Sequence, residues 1–234
     1  MVGGRTTRPV DAGHGQGLSV AEAGRWSEHA RSAHPDASCT PAARRPRPVE
    51  RWAAVRDMAR LRLETERLEL RPLALDDLDG LASMLGDAEA LTFWGGPLDR
   101  EGARRWIERN LARYKADGFG RCAVIMRETG ELVGDCGLIT TLVEGRPEVE
   151  LGWIVRRAHW GRGIATEAGA AWRDFAFDAI GQDRIVSMIS ADIVASRRVA
   201  EKLGMSVERE ARWGDLPHLM YSLRARDRVR RPEM

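Results

Sequence analysis

The residues whose types and spacing suggest chemistry lie together at 150–168, ELGWIVRRAHWGRGIATEA. The stretch reads as a strand, a loop with two glycines and the start of a helix. Gly161 and Gly163 have no Cβ, so a ligand can come close to the backbone, and Ala165 is the next smallest choice. The first N–H groups of the following helix lack internal partners and carry a partial positive charge. Such a place suits a pyrophosphate, although a merely tight turn would use the same glycines. The loop lacks the lysine and hydroxyl of a phosphate-binding nucleotidase loop and the third glycine of the dinucleotide fingerprint. Cys39, Cys122 and Cys136 are odd in number and include no C-x-x-C pair, which argues against a disulfide framework or a zinc site. No metal is expected.

The elements around this stretch follow from periodicity. Arg67–Arg71 alternates like a half-buried strand, and 75–85 has helical spacing. Asp99 can cap a helix running to about Lys115, with Trp106, Ile107, Leu111 and Tyr114 on one face. Strands follow at 121–127, 132–140 and 148–155, with turns at Glu128-Thr129-Gly130 and Glu144-Gly145-Arg146-Pro147. Then come a helix from Gly161 to about Phe177, a strand at 184–190, and a helix from about Ser196 that stops at Leu203-Gly204. Strands at 206–209 and 218–223 finish the order βααβββαβαββ. It describes an α+β domain with a mixed, mainly antiparallel sheet.

The chain has 234 residues, 43% hydrophobic and 31% charged, in proportions typical of a folded soluble protein. Residues 1–57 hold nine arginines, six acidic residues and half of the prolines, with few large apolar residues. The expectation is a disordered arm over 1–60, a folded domain over 61–224 and a charged tail over 225–234. Met58 runs straight into the patterned region and is a candidate native start. Neither a secretory signal nor a membrane span is visible. The net charge of +2 makes nucleic acid an unlikely default partner. A reduced, cytoplasmic setting and a monomer or homodimer are expected.

Trp160-Gly161-Arg162-Gly163-Ile164-Ala165 resembles the acyl-CoA pyrophosphate loop of the GNAT N-acetyltransferase superfamily, written Q/R-x-x-G-x-G/A. Trp in the first position is usual in one branch, that of the ribosomal-protein N-terminal acetyltransferases (RimJ/RimL). Three further pieces resemble that branch: Leu63-Glu64-Thr65-Glu66-Arg67-Leu68 with Arg71-Pro72, Gly134-Asp135-Cys136-Gly137, and 195–205, ASRRVAEKLGM. Together they span about residues 61–223.

The resemblance implies a GNAT fold with a splayed central strand pair and acetyl-CoA as cosubstrate. Trp153, Ile154 and Val155 would bind pantetheine through their backbone and polarise the thioester carbonyl. Trp160, Gly161, Arg162, Gly163, Ile164, Ala165 and Thr166 would hold the pyrophosphate, with Arg156 and Arg157 as further phosphate partners. Ser196 would protonate the departing thiolate, or simply cap its helix. Ile193 stands where the family has Asn, which removes a hydrogen bond to pantetheine. Glu150 is the first choice for the base that takes the acceptor's proton, ahead of His159 and His218. Trp94 would border the acceptor groove or close the core. A thioester is reactive enough for direct amine attack, so no nucleophilic triad is required. The expected activity is acetyl transfer to a protein or peptide N-terminus. Alternatives are a small-molecule amine acceptor (an antibiotic, polyamine or amino acid) and a non-catalytic acyl-CoA-binding module.

Overall fold

Alternating strand patterns and amphipathic helices assemble into one eight-stranded sheet with helices on both faces. The computed structural model describes Met58 and residues 61–92, 96–213 and 216–228, the side chain of Trp213 excepted. Of the expected arm over 1–60 only Met58 is among the described residues, and Trp94 and the end of the expected tail lie outside them. The strands are β1 (Leu63–Glu64), β2 (Leu68–Pro72), β3 (Arg121–Met126), β4 (Leu132–Val143), β5 (Arg146–Val155), β6 (Arg184–Ile189), β7 (Ser206–Trp213) and β8 (Leu216–Arg224). The helices are α1 (Leu78–Leu85), α2 (Arg100–Ala116), α3 (Ile164–Asp178) and α4 (Val194–Lys202). The spatial order is β1-β2-β3-β4-β5-β6-β8-β7, antiparallel throughout except for the β5–β6 pair.

One face of the sheet lies under α3 and α4. Leu68, Leu70, Val124, Cys136, Leu138, Leu151 and Trp153 pack there against Ile164, Ala168, Trp172 and Leu203. The opposite face is covered in two separate pieces. Near β2–β4, α1 and α2 bury Leu81, Leu85, Ala103 and Ile107 against Ala123, Ile125 and Ile154. Farther along, Val143, Val186, Ala211 and Met220 form a second, small cluster. Glu150 belongs to this face, four residues from Ile154 on β5 and opposite Val186 on β6. It therefore sits between the two apolar pieces.

The element types match the sequence expectation, and several boundaries move. Asp99 does cap α2, its Oδ1 accepting the Gly102 N–H at 2.6 Å, and Gly204 ends α4 with φ of 85°. The second hairpin is longer than its Pro147 suggested. Its turn is Glu144-Gly145, both with positive φ, and Pro147 sits in the ladder opposite Leu142. A proline is tolerated there because β6 pairs with β5 only at Glu150, so this end of β5 is an edge. The segment 75–85 divides into a 3-10 turn (Leu75–Asp77) and α1. Met58 corrects the expected arm boundary: it is buried in the main core and its carbonyl accepts the Leu61 N–H at 3.0 Å. Among the described residues, no helix is long and apolar enough to cross a membrane.

Candidate functional site

After Val155 the chain makes a 3-10 turn (Arg157–His159), then passes Trp160, Gly161 and Arg162 to reach α3. Gly161 and Gly163 have φ of 73° and 79°, a region unfavourable for any residue with a Cβ. The expected helix start at Gly161 moves to Ile164, with Gly163 as the left-handed cap. No side chain caps this end. The first intrahelical bond runs from Glu167 N–H to Gly163 C=O at 3.0 Å, so the preceding N–H groups face outward from the helix. A Cβ on Gly161 would meet nothing within 4 Å, so open space borders the loop. Uncommitted donors facing open space at a positive helix end fit an anionic pyrophosphate.

Side chains brace this loop from behind. The Glu167 carboxylate accepts from Thr65 Oγ1 at 2.5 Å, Arg67 N at 2.9 Å and Arg67 Nε at 2.7 Å. Arg67 Nη1 donates to the Arg162 carbonyl at 3.0 Å. The pairing Thr65–Arg67–Glu167 thus ties the β1–β2 turn to the loop. His159 is buried between Glu131 (3.2 Å from Nε2) and Arg162 Nη1 (3.1 Å from Nδ1), which makes it a bracing group. Trp160 is 47% exposed, and its indole N–H donates to the Val155 carbonyl at 2.7 Å. Arg162 is exposed at the loop. Arg156 and Arg157 are not brought to it. Arg156 reaches Ser83 and the Gly80 carbonyl on α1, and Arg157 pairs with Asp87 and Glu89.

The parallel β5–β6 ladder is short: its one pair is Glu150 with Val186. One step on, side chains join the strands instead. Ser187 Oγ of β6 donates to the Leu151 carbonyl of β5 at 2.6 Å, and the Met188 N–H of β6 favours the charged form of the Glu150 carboxylate of β5. Beyond that point Gly152–Val155 pair with β4 on one side and have no ladder partner on the β6 side. Trp153 and Val155 therefore turn backbone groups toward the parting, the Val155 carbonyl being taken by the Trp160 indole, whereas the register turns the Ile154 backbone toward β4, against the expectation for that residue; the side chains alternate between the two faces.

Around Glu150 the sheet is unusually polar for its depth. Glu150 is 4% exposed, and its Oε2 has no hydrogen-bond partner. Burial pushes its carboxyl up to about 8, against the pull of Arg121, the Met188 N–H and Arg113. Arg121 and Asp135, both buried, form an ion pair, and Trp106 Nε1 donates to Asp135 Oδ2 at 2.9 Å. The Arg121 guanidinium lies 5.4 Å from the Trp106 ring centre. It crosses β5 at Gly152, where a Cβ would collide with Arg121 Nη1. Asn110 Oδ1 accepts the Arg121 N–H at 3.0 Å, and the Tyr114 hydroxyl donates to the Arg121 carbonyl. A buried carboxyl titrating near neutrality and lacking a partner on one oxygen can take a proton from a group placed beside it.

Ser196 requires a correction. Helix α4 begins at Val194 with Ile193 at the cap position, so Ser196 is the third helical residue and caps nothing. It is half-buried, and its hydroxyl makes no hydrogen bond among the described residues. Ile193 packs against the main core, which accounts for an apolar residue there. Because α4 covers the α3 face, Ser196 and Glu150 belong to opposite faces of the sheet. His218 Nδ1 lies 3.2 Å from the Leu216 carbonyl on β8, with β6 between it and Glu150's strand. Sequence reasoning missed Ser187, Arg121, Asp135 and Gly152. The available signal was a lone opposite charge in each of two apolar strands, RCAVIM and LVGDCGLI.

Residues 67–206, more than half of the chain, match the family profile described as Acetyltransferase (GNAT) domain. The uncharacterized protein YkkB of Bacillus subtilis (strain 168) is 31% identical over 164 residues, covering 70% of this chain and 95% of YkkB. The crystal structure of an acetyltransferase from Agrobacterium tumefaciens str. C58 superposes with a TM-score of 0.62 at 33% identity, covering 70% of this chain and 94% of that one. The ribosomal-protein-S5-alanine acetyltransferase from Vibrio fischeri shares the fold, with a TM-score of 0.56 at 17% identity, covering 73% and 100%. A splayed β5–β6 pair above a glycine-capped helix, in a sheet of this order, is thus found in company with solved acetyltransferases: the chain belongs to the GNAT family of acyltransferases, whose cosubstrate is acetyl-CoA.

Proposed function

We propose that the protein transfers the acetyl group of acetyl-CoA to a primary amine by direct attack, with a peptide or protein N-terminus as acceptor. Acetyl-CoA supplies the reactive thioester. In this reading the backbone of Trp153 and Val155 holds pantetheine and donates to the carbonyl oxygen as charge develops, with Ile154 keeping the strand in register with β4. Trp160, Gly161, Arg162, Gly163, Ile164, Ala165 and Thr166 seat the pyrophosphate. Glu150 takes the amine proton, directly or through one water at its unpartnered Oε2. Ser196 gives a proton to the leaving sulfur from the other face. The observation that carries the reading is the parting of β5 from β6 just past Glu150, with a candidate base on one face and a candidate acid on the other. Acceptor and leaving group then approach from different sides of the carbonyl. The loop WGRGIATEA and the fold shared with the Vibrio fischeri enzyme support placing the chain near the ribosomal-protein branch, working in the cytoplasm. Trp94, on the link between α1 and α2, is assigned to the border of the acceptor groove.

The test is release of free CoA from acetyl-CoA with a panel of amines: short peptides, free amino acids, a polyamine and an aminoglycoside. Release with peptides is expected. Release with small amines alone would move the acceptor to that class, and no release with any amine would overturn the proposal.

A further inference from the structure

Three arginines, Arg105, Arg109 and Arg113, recur every fourth residue along α2 and so share one side of the helix. Arg105 is held by Glu101 at 3.4 Å. The other two make no ion pair among the described residues. Arg109 lies 5.6 Å from the Trp106 ring centre, and Arg113 Nη1 reaches only Asn110 Oδ1 at 3.5 Å. Like charges at this spacing destabilise a helix. Arg109 is exposed and Arg113 half-buried; desolvation by their neighbours on the helix and the nearby guanidiniums, Arg113 and Arg105 for Arg109 and Arg121 for Arg113, hold both below the usual arginine range. Asp117 and Asp135 act on Arg113 only from beyond ion-pair distance, and Asp135 is committed to Arg121. The helix dipole favours Arg113 in the last turn, but not Arg109 in the middle. The pair stands beside Trp106 and Asn110, which hold Asp135 and Arg121, and Arg121 acts on Glu150 where the apolar cover of this face is interrupted. Glu150 is buried there with an unpartnered Oε2, and Arg113 is close enough to act on it.

We propose that Arg109 and Arg113 form a subsite for a carboxylate or phosphate carried by the acceptor, so that the preferred acceptor is an amine with an anionic group nearby and not a polycation. This rests on the acetyl-transfer reading and adds the acceptor's charge to it. The anion meets two guanidiniums by charge-assisted hydrogen bonds. Its amine is then left beside Glu150.

The test measures binding separately from turnover. The full chain is saturated with CoA and titrated calorimetrically with matched probes: the peptides Ala-Glu-Glu-Leu and Ala-Gln-Gln-Leu, and free glutamate against its diamide. The acidic member of at least one pair should bind at least about tenfold more tightly. The pair that shows the preference tells peptide from small molecule. In Arg109→Gln/Arg113→Gln the preference should vanish while CoA affinity and melting temperature hold, which excludes misfolding. Equal affinities, no binding by any probe, or a preference that survives the double substitution would overturn the subsite. Release of CoA from acetyl-CoA with the same probes reports on the chemistry: tight acidic binding without release would sink acetyl transfer to these amines and leave the subsite standing.

Discussion

The loop at Gly161–Gly163 and the cluster at Glu150 serve two sides of one parted strand pair, and they are built differently. The loop is made of backbone: two left-handed glycines, an uncapped helix start and a brace through Glu167 and Arg67. The cluster is made of side chains from α2, β3, β4 and β5, which meet only in the folded sheet. A backbone site depends on local conformation and tolerates varied side chains. A side-chain site depends on tertiary register, so one altered partner disturbs the rest.

Gly163→Glu should break the loop most completely. It forces a Cβ into a left-handed cap and sets a negative charge at the helix end. CoA binding by calorimetry should be lost; unchanged affinity would remove the loop from the site. The matching change at the cluster is Glu150→Gln. It should lower turnover by about 10²–10⁴-fold, the range for a positioned base, with CoA affinity unchanged.

The Glu150 substitution also has a sign in stability. Its ordinary value is 4.5 and its folded value is about 8. Below 4.5 the group is neutral folded and unfolded, and nothing changes. As pH rises from there to 8, only the unfolded chain ionises it, so the native carboxyl costs progressively more stability, constant above 8. Glu150→Gln should therefore be about as stable as the parent at pH 4 and more stable at pH 9, by up to about 5 kcal/mol. Thermal denaturation at the two pH values checks this, and equal gains at both would contradict it.

Breaking the pair beneath Glu150 should act on the fold first. Asp135→Ala leaves Arg121 buried without its partner and should cost about 3–5 kcal/mol in chemical denaturation. A loss below about 1 kcal/mol would mean that Arg121 can reach water. Smallest is Ser196→Ala. Because Ser196 is inside α4, stability should change by less than about 0.5 kcal/mol, below the usual effect of losing a cap. If it protonates sulfur, kcat should still fall by about tenfold to a hundredfold. A stability loss with normal kcat would return Ser196 to a structural role.

The contrast also explains what the sequence made legible. Glycine spacing, Asp99 and the Leu203-Gly204 stop announce local conformations, and they located the loop, α2 and the end of α4. Pro147 misled because its missing N–H costs something only where a neighbouring strand would have accepted it, which is a matter of sheet order. Ser196 misled by one turn, since its hydroxyl suggested a cap and Ile193 holds that place by packing. Glu150 could be singled out, but its depth and lack of a partner could not. Those come from Gly152 admitting Arg121, and from Met188 and Ser187 tying off the ladder.

The central claim is that Glu150 is the base, and the pH dependence of kcat/KM tests it most directly. Parent and Glu150→Gln would be compared from pH 5.5 to 9.5, using the best peptide from the amine panel. Two protons must leave the free reactants, one from Glu150 of the enzyme near 8 and one from the peptide α-amine, whose ordinary value is about 7.7–8.0. Log kcat/KM should thus climb with a slope approaching two below pH 7 and level off above 8. In Glu150→Gln only the amine titrates, so the slope should fall to one on a much lower curve. Profiles of the same shape and height in both proteins would contradict the account.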